Sequence, residues 1–181
     1  MNELYSAGMV LYKIGNGNYK NKLNGAYYSV QSSRTKKDGT KVESDLGIYL
    51  TGGIYIENNK VFEANVYKDE NMKELVNTYD SKFDPSFKKQ AVSITDLKEG
   101  DYYVQIDNEK DIKKYVVQKG AIVLENQFED TQLTYTEVKA PTSYRIDNNS
   151  YTFSVGNDYS KNIIENYRSN VLMYIPITGV D

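Results

Sequence analysis

Apolar and polar residues alternate along most of this chain, the period-two signal of strands that bury one face. Met9-Val10-Leu11-Tyr12-Lys13 reads as the first strand, and Asn16-Gly17 after it as a turn. Ala26–Val30 is a second strand. Asp38-Gly39 sits between two polar arms, 31–37 and 40–44, and predicts a hairpin. Gly47–Leu50 and Gly53–Glu57 are short strands, and Asn58-Asn59 predicts a second hairpin into Val61–Tyr67. Further strands are predicted at Ala91–Ile94, Asp101–Ile106, Lys114–Gln118, Ala121–Leu124, Leu133–Glu137 and Tyr151–Val155. One segment breaks the period. Asp69 can cap a helix in which Met72, Leu75, Val76 and Tyr79 share a face, ending before Pro85. Asn162–Tyr167 suits either a strand or a helical turn. Many short strands with frequent turn signals predict an all-β sandwich with an inserted helix-containing segment. No internal repeat or linker stands out. Residues 1–170 read as one elaborated sandwich and 171–181 as a C-terminal tail.

The alternation places polar residues on faces that should be buried. Met9, Leu11 and Lys13 share one face of the first strand; Leu133, Tyr135 and Glu137 share one face of a later one; Ile164 and Asn166 share a face if their segment is a strand. An unpaired buried Lys or Glu costs several kcal/mol or gives up its charge. Two other readings stay open at this level. The first strand could turn Val10 and Tyr12 inward and leave Lys13 at the surface, or Lys13 and Glu137 could form a plain buried ion pair.

Composition narrows the chemistry. The chain of 181 residues carries 22 basic and 25 acidic side chains and no His or Cys. Ser-His-Asp and Cys-His catalysis, Cys/His zinc sites and disulfides are therefore excluded. No basic stretch is long enough to track phosphates, so nucleic acid is not an expected partner. No apolar run is long enough to cross a bilayer as a helix. The chain has 18 Tyr against 5 Phe and no Trp, which suits strands and half-wet surfaces. Asp147-Asn148-Asn149-Ser150 has oxygen ligands but lacks the glycine and distal Glu of an EF-hand loop, so it reads as a polar turn. No metal or cofactor is expected, and the chain does not read as an enzyme.

Three motifs in order carry a family resemblance. Thr136-Glu137-Val138-Lys139-Ala140-Pro141-Thr142-Ser143-Tyr144 resembles the E-T-K-A-P-x-G-Y signature of Cna B-type domains, the immunoglobulin-like sandwiches of Gram-positive pilins and adhesins. Leu11-Tyr12-Lys13 followed by Leu23-Asn24-Gly25-Ala26-Tyr27-Tyr28-Ser29-Val30 resembles the family's opening. Ile175-Pro176-Ile177-Thr178-Gly179 resembles the LPxTG sortase signal. The resemblance does not reach residues 31–118. Ser143 stands where the signature has glycine, and the glycine usual before the Glu strand is replaced around Gln132.

The resemblance implies an immunoglobulin-like sandwich of the Cna B type and a spontaneous isopeptide bond. Lys13 matches the family's lysine, Asn166 is the best match for its asparagine, and Glu137 matches the glutamate that assists; Asn157, Asn162 and Asn170 are weaker matches for the asparagine. It also implies a pilin subunit or adhesin of the cell wall, with sortase, peptidoglycan or other pilin subunits, and a host ligand as partners. Its signal peptide and membrane anchor are expected to be trimmed from this chain. The alternative is a secreted or surface binding module, for carbohydrate or a host protein, without isopeptide chemistry. Sortase would cut between Thr178 and Gly179 and leave Thr178 as the attachment point. Incubation with a matched sortase is expected to release a fragment beginning at Gly179, as read by mass spectrometry; a chain that stays intact overturns the sorting assignment.

Overall fold

The computed structural model describes residues 6–155 and 163–164, with side chains over 8–155. The strands follow in chain order: β1 (Ser6–Tyr12), β2 (Ile14–Gly15), β3 (Asn18–Lys22), β4 (Tyr27–Thr35), β5 (Lys41–Leu50), β6 (Ile54–Asn58), β7 (Glu63–Tyr67) and β8 (Leu75–Asp80). They continue as β9 (Lys82–Asp84), β10 (Lys89–Ile94), β11 (Gly100–Ile106), β12 (Ile112–Val117), β13 (Ala121–Phe128), β14 (Gln132–Lys139), β15 (Ser150–Ser154) and β16 (Ile163–Ile164). Every described regular element is a strand, so the fold is all-β. Its multiple antiparallel sheets are compatible with a β-sandwich.

Two pairs of sheets each close on a buried cluster. The first pair is β13-β1-β16 and β15-β14-β4-β5. Met9 and Leu11 of β1, Ile122 and Leu124 of β13, Tyr28 and Val30 of β4, and Leu133 and Tyr135 of β14 meet between these sheets. The second pair, β6-β10-β9 and β12-β11-β7-β8, is built entirely from the segment between β5 and β13. Its cluster includes Ile54, Phe62, Val66, Val92, Ile94, Tyr102 and Val104. Period-two burial produces both clusters. Each inward side chain loses water contact while its neighbours point away, and each fully buried Leu, Ile or Phe contributes about 1.5–3 kcal/mol. The strand β1 is covered on both faces, because Val10 and Tyr12 pack with Ala121 on the other side.

The two pairs of sheets share a plan that no sequence repeat announces. In each four-stranded sheet a hairpin (β4–β5 or β7–β8) lies beside a second antiparallel pair (β14–β15 or β11–β12), and the first strand of each pair is central. In each three-stranded sheet an early strand pairs with a later one, β1 with β13 and β6 with β10. The difference lies at one edge. β16 runs parallel along the free side of β1, whereas β6 has β10 as its only strand neighbour among the described residues.

Two expectations fail in the inserted segment. The predicted helix is absent: Leu75–Asp80 is the strand β8, paired antiparallel with β7. Asp69 does cap main-chain groups, its Oδ1 accepting the N–H of Lys73 (3.0 Å) and of Glu74 (2.8 Å), but within a tight turn. Leu75 and Val76, assigned to an apolar helix face, are both exposed. A segment this short has weak intrinsic helicity, and an unpaired edge on β7 offers a full ladder of hydrogen bonds to Val76, Thr78 and Tyr79, which favour strands. The hairpin predicted across Asn58-Asn59 also fails, because β6 pairs with β10 and β7 with β8 and β11. The turn was placed well; the chain simply crosses to the opposite sheet there. The predicted turn at Asn16-Gly17 forms, with φ of 55° and 73° at its two central residues, as a hairpin of the primed type requires.

With separate clusters, damage to one is expected to stay local. Leu133→Ala should cost about 2–5 kcal/mol, measured by urea unfolding of the first cluster. Amide exchange in β7 and β11 should keep its protection; equal loss of protection in both clusters would show a single cooperative core.

Candidate functional site

Lys13 follows the last residue of β1, and its main chain is pinned on both sides. Its N–H donates to the Gly120 carbonyl (2.7 Å) and its own carbonyl accepts the Leu23 N–H (2.9 Å). Gly120 earns its place here. Its φ is +65°, and a Cβ would lie 2.6 Å from Lys22 Cβ and 3.0 Å from the Leu23 nitrogen, so any side chain would force apart the backbone that holds Lys13. Alternation then aims the Lys13 side chain along the face of Met9 and Leu11, into the first cluster. Its side chain is 0% exposed.

Glu137 enters the same interior from the opposite sheet, continuing the inward row Leu133 and Tyr135 along β14. Glu137 Oε2 lies 3.3 Å from Lys13 Nζ, and the Glu137 side chain is also 0% exposed. The Tyr28 ring stands beside the ammonium, 5.6 Å from centroid to Nζ, and packs edge-on against Tyr135. The sequence reading that turned Val10 and Tyr12 inward in place of Lys13 is thus set aside: both faces of β1 are buried, and Lys13 belongs to the Met9–Leu11 face.

A third charged residue, absent from the sequence-based candidates, completes the group. The N–H of Asp147 donates to Glu137 Oε1 (2.7 Å). The Asp147 carboxylate is itself buried; its Oδ1 accepts the Asn149 N–H (3.0 Å) and its Oδ2 the Tyr151 hydroxyl (2.8 Å). The sequence reading took residues 147–150 as a polar turn. The turn forms, but its first carboxylate points inward. Alternation cannot report this, because Asp147 lies in a loop between β14 and β15. Of the described residues, the buried charged side chains are Lys13, Glu137 and Asp147, and all three meet here.

The electrostatics follow from burial. Loss of water pushes the Lys13 amine below its ordinary 10.5, with the Glu137 and Asp147 charges opposing. Burial pushes the Glu137 carboxyl above its ordinary 4.5; Lys13 and the Asp147 N–H oppose this, and the Asp147 charge adds to it. Both shifts run towards the uncharged forms.

The loop after β14 holds a residue in the left-handed region. Ser143 has φ of +72° and sits in a turn closed by the Tyr144 N–H to the Pro141 carbonyl (3.1 Å). That conformation favours glycine, so serine holds it at some cost in strain. Just before β14, Asp130 also has a positive φ, +69°. Asn166, its weaker alternatives Asn157, Asn162 and Asn170, and the sorting residues Thr178 and Gly179 lie outside the described residues. Comparison with family models, with curated proteins and with solved structures finds no match to this chain.

The signs of the two shifts set a pH dependence. Glu137 holds its proton more tightly folded than unfolded, so its contribution to stability is full below pH 4.5 and declines as pH rises through its folded value. Lys13 behaves inversely: the unfolded chain holds the extra proton up to pH 10.5, so stability recovers as pH rises towards that value. We expect urea unfolding of Asn166→Ala to show this fall and recovery relative to the same chain carrying Lys13→Met and Glu137→Leu. Glu137→Ala alone should cost about 3–5 kcal/mol, because it leaves the Lys13 side chain buried without its Glu137 partner. A pH-independent difference overturns the assignment of these shifts.

Proposed function

We propose that this chain is a cell-wall-anchored surface protein of the Cna B type, a pilin subunit or adhesin, braced by a bond between Lys13 and Asn166. One observation carries the reading. β16 runs parallel to β1 with Val10 beside Ile163 and Leu11 beside Ile164. Lys13 and Asn166 are each two positions further along the chain, so the pairing proposed is the one this register would give if it continued past the described residues. The lysine of that register is the one buried against a glutamate.

The chemistry needs what burial supplies. The neutral Lys13 amine attacks Asn166 Cγ, forming the new C–N bond. The Cγ–Nδ2 bond breaks and ammonia leaves. Glu137, protonated at first, polarises the amide oxygen, takes the proton from the attacking nitrogen and passes one to the departing nitrogen. Confinement between two sheets replaces a chance encounter by a fixed one. The step occurs once per molecule, so it is maturation and not turnover, and the protein is not read as an enzyme. A closure from position 13 to position 166 would stabilise the fold by about 5 kcal/mol on a loop-entropy basis. It needs no cysteine, and the chain has none.

The tail reading joins this one: Thr178 would be the residue joined by sortase to peptidoglycan or to another subunit. An extracellular, wall-anchored location follows from the same reading. The denatured intact mass is expected to fall short of the sequence mass by one ammonia, and to regain it in Lys13→Ala, Glu137→Ala and Asn166→Ala. A full sequence mass in the parent chain overturns the brace. It would favour the alternative binding module, for which the open groove of about 610 Å³ beside Tyr79 and Phe83 offers an aromatic surface flanked by Asp80, Asp84, Lys82 and Lys139.

A further inference from the structure

We propose that Asn24 is a positioning residue for Lys13: its side-chain oxygen closes a ring of hydrogen bonds that ties the Lys13 main chain to both mouths of the inserted segment, so that the lysine is seated once that segment has closed. The consequence for bond formation rests on the isopeptide reading, but the positioning does not. β1 and its register with β13 end at Tyr12, opposite Ala121. Lys13 therefore lies one residue past the last pair of the ladder. Its Nζ sits at the far end of a long side chain. A small rotation of the main chain there becomes a large displacement from Glu137 Oε2, now 3.3 Å away.

Three hydrogen bonds hold the main chain where the ladder stops. The Lys13 N–H donates to the Gly120 carbonyl (2.7 Å), and the Lys13 carbonyl accepts the Leu23 N–H (2.9 Å). Asn24, next to Leu23 in the chain, accepts the Gly120 N–H on its Oδ1 (2.6 Å) and closes the ring. Gly120 is buried, whereas Asn24 is exposed. A buried N–H left without an acceptor is costly. A surface carboxamide that could point anywhere into water is thus held in one orientation, over the residue whose carbonyl receives Lys13.

The inserted segment leaves after β5 at Thr51-Gly52 and returns at Gly120-Ala121, and both mouths meet at this ring. The Gly52 N–H donates to the Ala121 carbonyl (3.0 Å), the Gly25 N–H to the Thr51 carbonyl (3.1 Å) and the Thr51 N–H to the Ala26 carbonyl (2.9 Å). The hydroxyl of buried Thr51 accepts the Ala26 N–H (3.0 Å) and donates to the Leu23 carbonyl (2.8 Å). Gly52, at φ +68°, presses on the same carboxamide from the departing side: a Cβ there would overlap Asn24 Oδ1. Until the segment returns, Gly120 is not in place and the Lys13 N–H lacks this acceptor. The order of events follows: the inserted segment closes, the amine is seated, and the bond forms.

The test separates the hold from its consequence. In the full chain with Asn166→Ala, where no bond can form, amide exchange is followed by NMR. Asn24→Ala should speed exchange at Gly120 and Lys13 by about tenfold or more and leave Val30 and Tyr135, at the centres of β4 and β14, at the parent rate. Asn24→Asp keeps the accepting oxygen and should restore both amides. Gly52→Ala, which pushes the carboxamide aside, should reproduce Asn24→Ala. In the chain that keeps Asn166, produced unfolded by cell-free synthesis and refolded by dilution, the loss of one ammonia is timed across pH. Asn24→Ala should slow it by about tenfold or more, as a displaced reacting group does. The factor should be the same at every pH, because the substitution moves the amine and not its ionisation; Asn24→Asp should mature at the parent rate. Unchanged Lys13 exchange in Asn24→Ala overturns the proposal, as does a rise shared equally by Val30 and Tyr135, or an Asn24→Ala chain that matures at the parent rate. The exchange result decides the positioning even if the parent chain keeps its full mass, so failure of the isopeptide reading is told apart from failure of this one.

Discussion

The structure turns on the removal of one lysine from water. A buried ammonium is among the most expensive groups a small domain can carry, and its presence constrains everything around it. Lys13 is tolerated because Glu137 arrives from the facing sheet at 3.3 Å. That requires β1 and β14 to lie in opposite sheets with their inward rows in phase. The phase is set by Met9 and Leu11 on one side and Leu133 and Tyr135 on the other. A one-residue slip of either strand would send its charged residue to the other face and leave its partner alone in the interior. The pair thus acts as a register lock for the first cluster, whether or not a covalent bond later replaces it.

The second cluster provides the contrast. It repeats much of the sheet plan of the first, with hairpin and antiparallel pair side by side, yet none of its buried residues is charged. Ile106 closes the inward-facing row of β11 that begins with Tyr102 and Val104, where β14 ends its own row with Glu137. Its early strand, β6, has no described neighbour on the side where β1 has β16. Among the described residues, the polar trio and the parallel strand β16 therefore occur together in the first unit. That association is expected if the trio exists for chemistry between β1 and the strand beside it. A device for general stability would have no reason to respect the boundary.

Sequence pattern gave the strands and the inward faces, because period-two burial is a local property of each segment. Lys13 and Glu137 were legible for that reason: each follows two apolar residues of the same parity. Partner choice was not legible. Nothing local to Val61–Tyr67 shows that it pairs with Leu75–Asp80 and not with Ile54–Asn58. The helix reading of residues 69–79 failed in the same way, since Leu75, Val76 and Tyr79 fit a helical face but a waiting strand edge decided the outcome. Asp147 escaped because a loop carries no period from which an inward direction can be read. The positive φ of Ser143 and Asp130 shows a further limit: where a turn needs glycine-like geometry, another residue can hold it, and a motif search keyed to glycine looks in the wrong place.

The position of the insertion adds a mechanical argument to the proposed reading. The second cluster leaves the first after β5 and returns at β13, so both of its connections belong to the interior of the chain. The first cluster alone carries the early strand β1 and the late strand β16 side by side. Force applied through β1 and β16 would load that pair before any strand of the inserted segment. Parallel neighbours pulled from opposite ends are loaded in shear along their shared ladder, and only two residue pairs of that ladder are described. A covalent link between Lys13 and Asn166 would close the path just past those pairs. Tension would then pass from one end to the other through a single amide, and neither hydrophobic cluster would be asked to resist it.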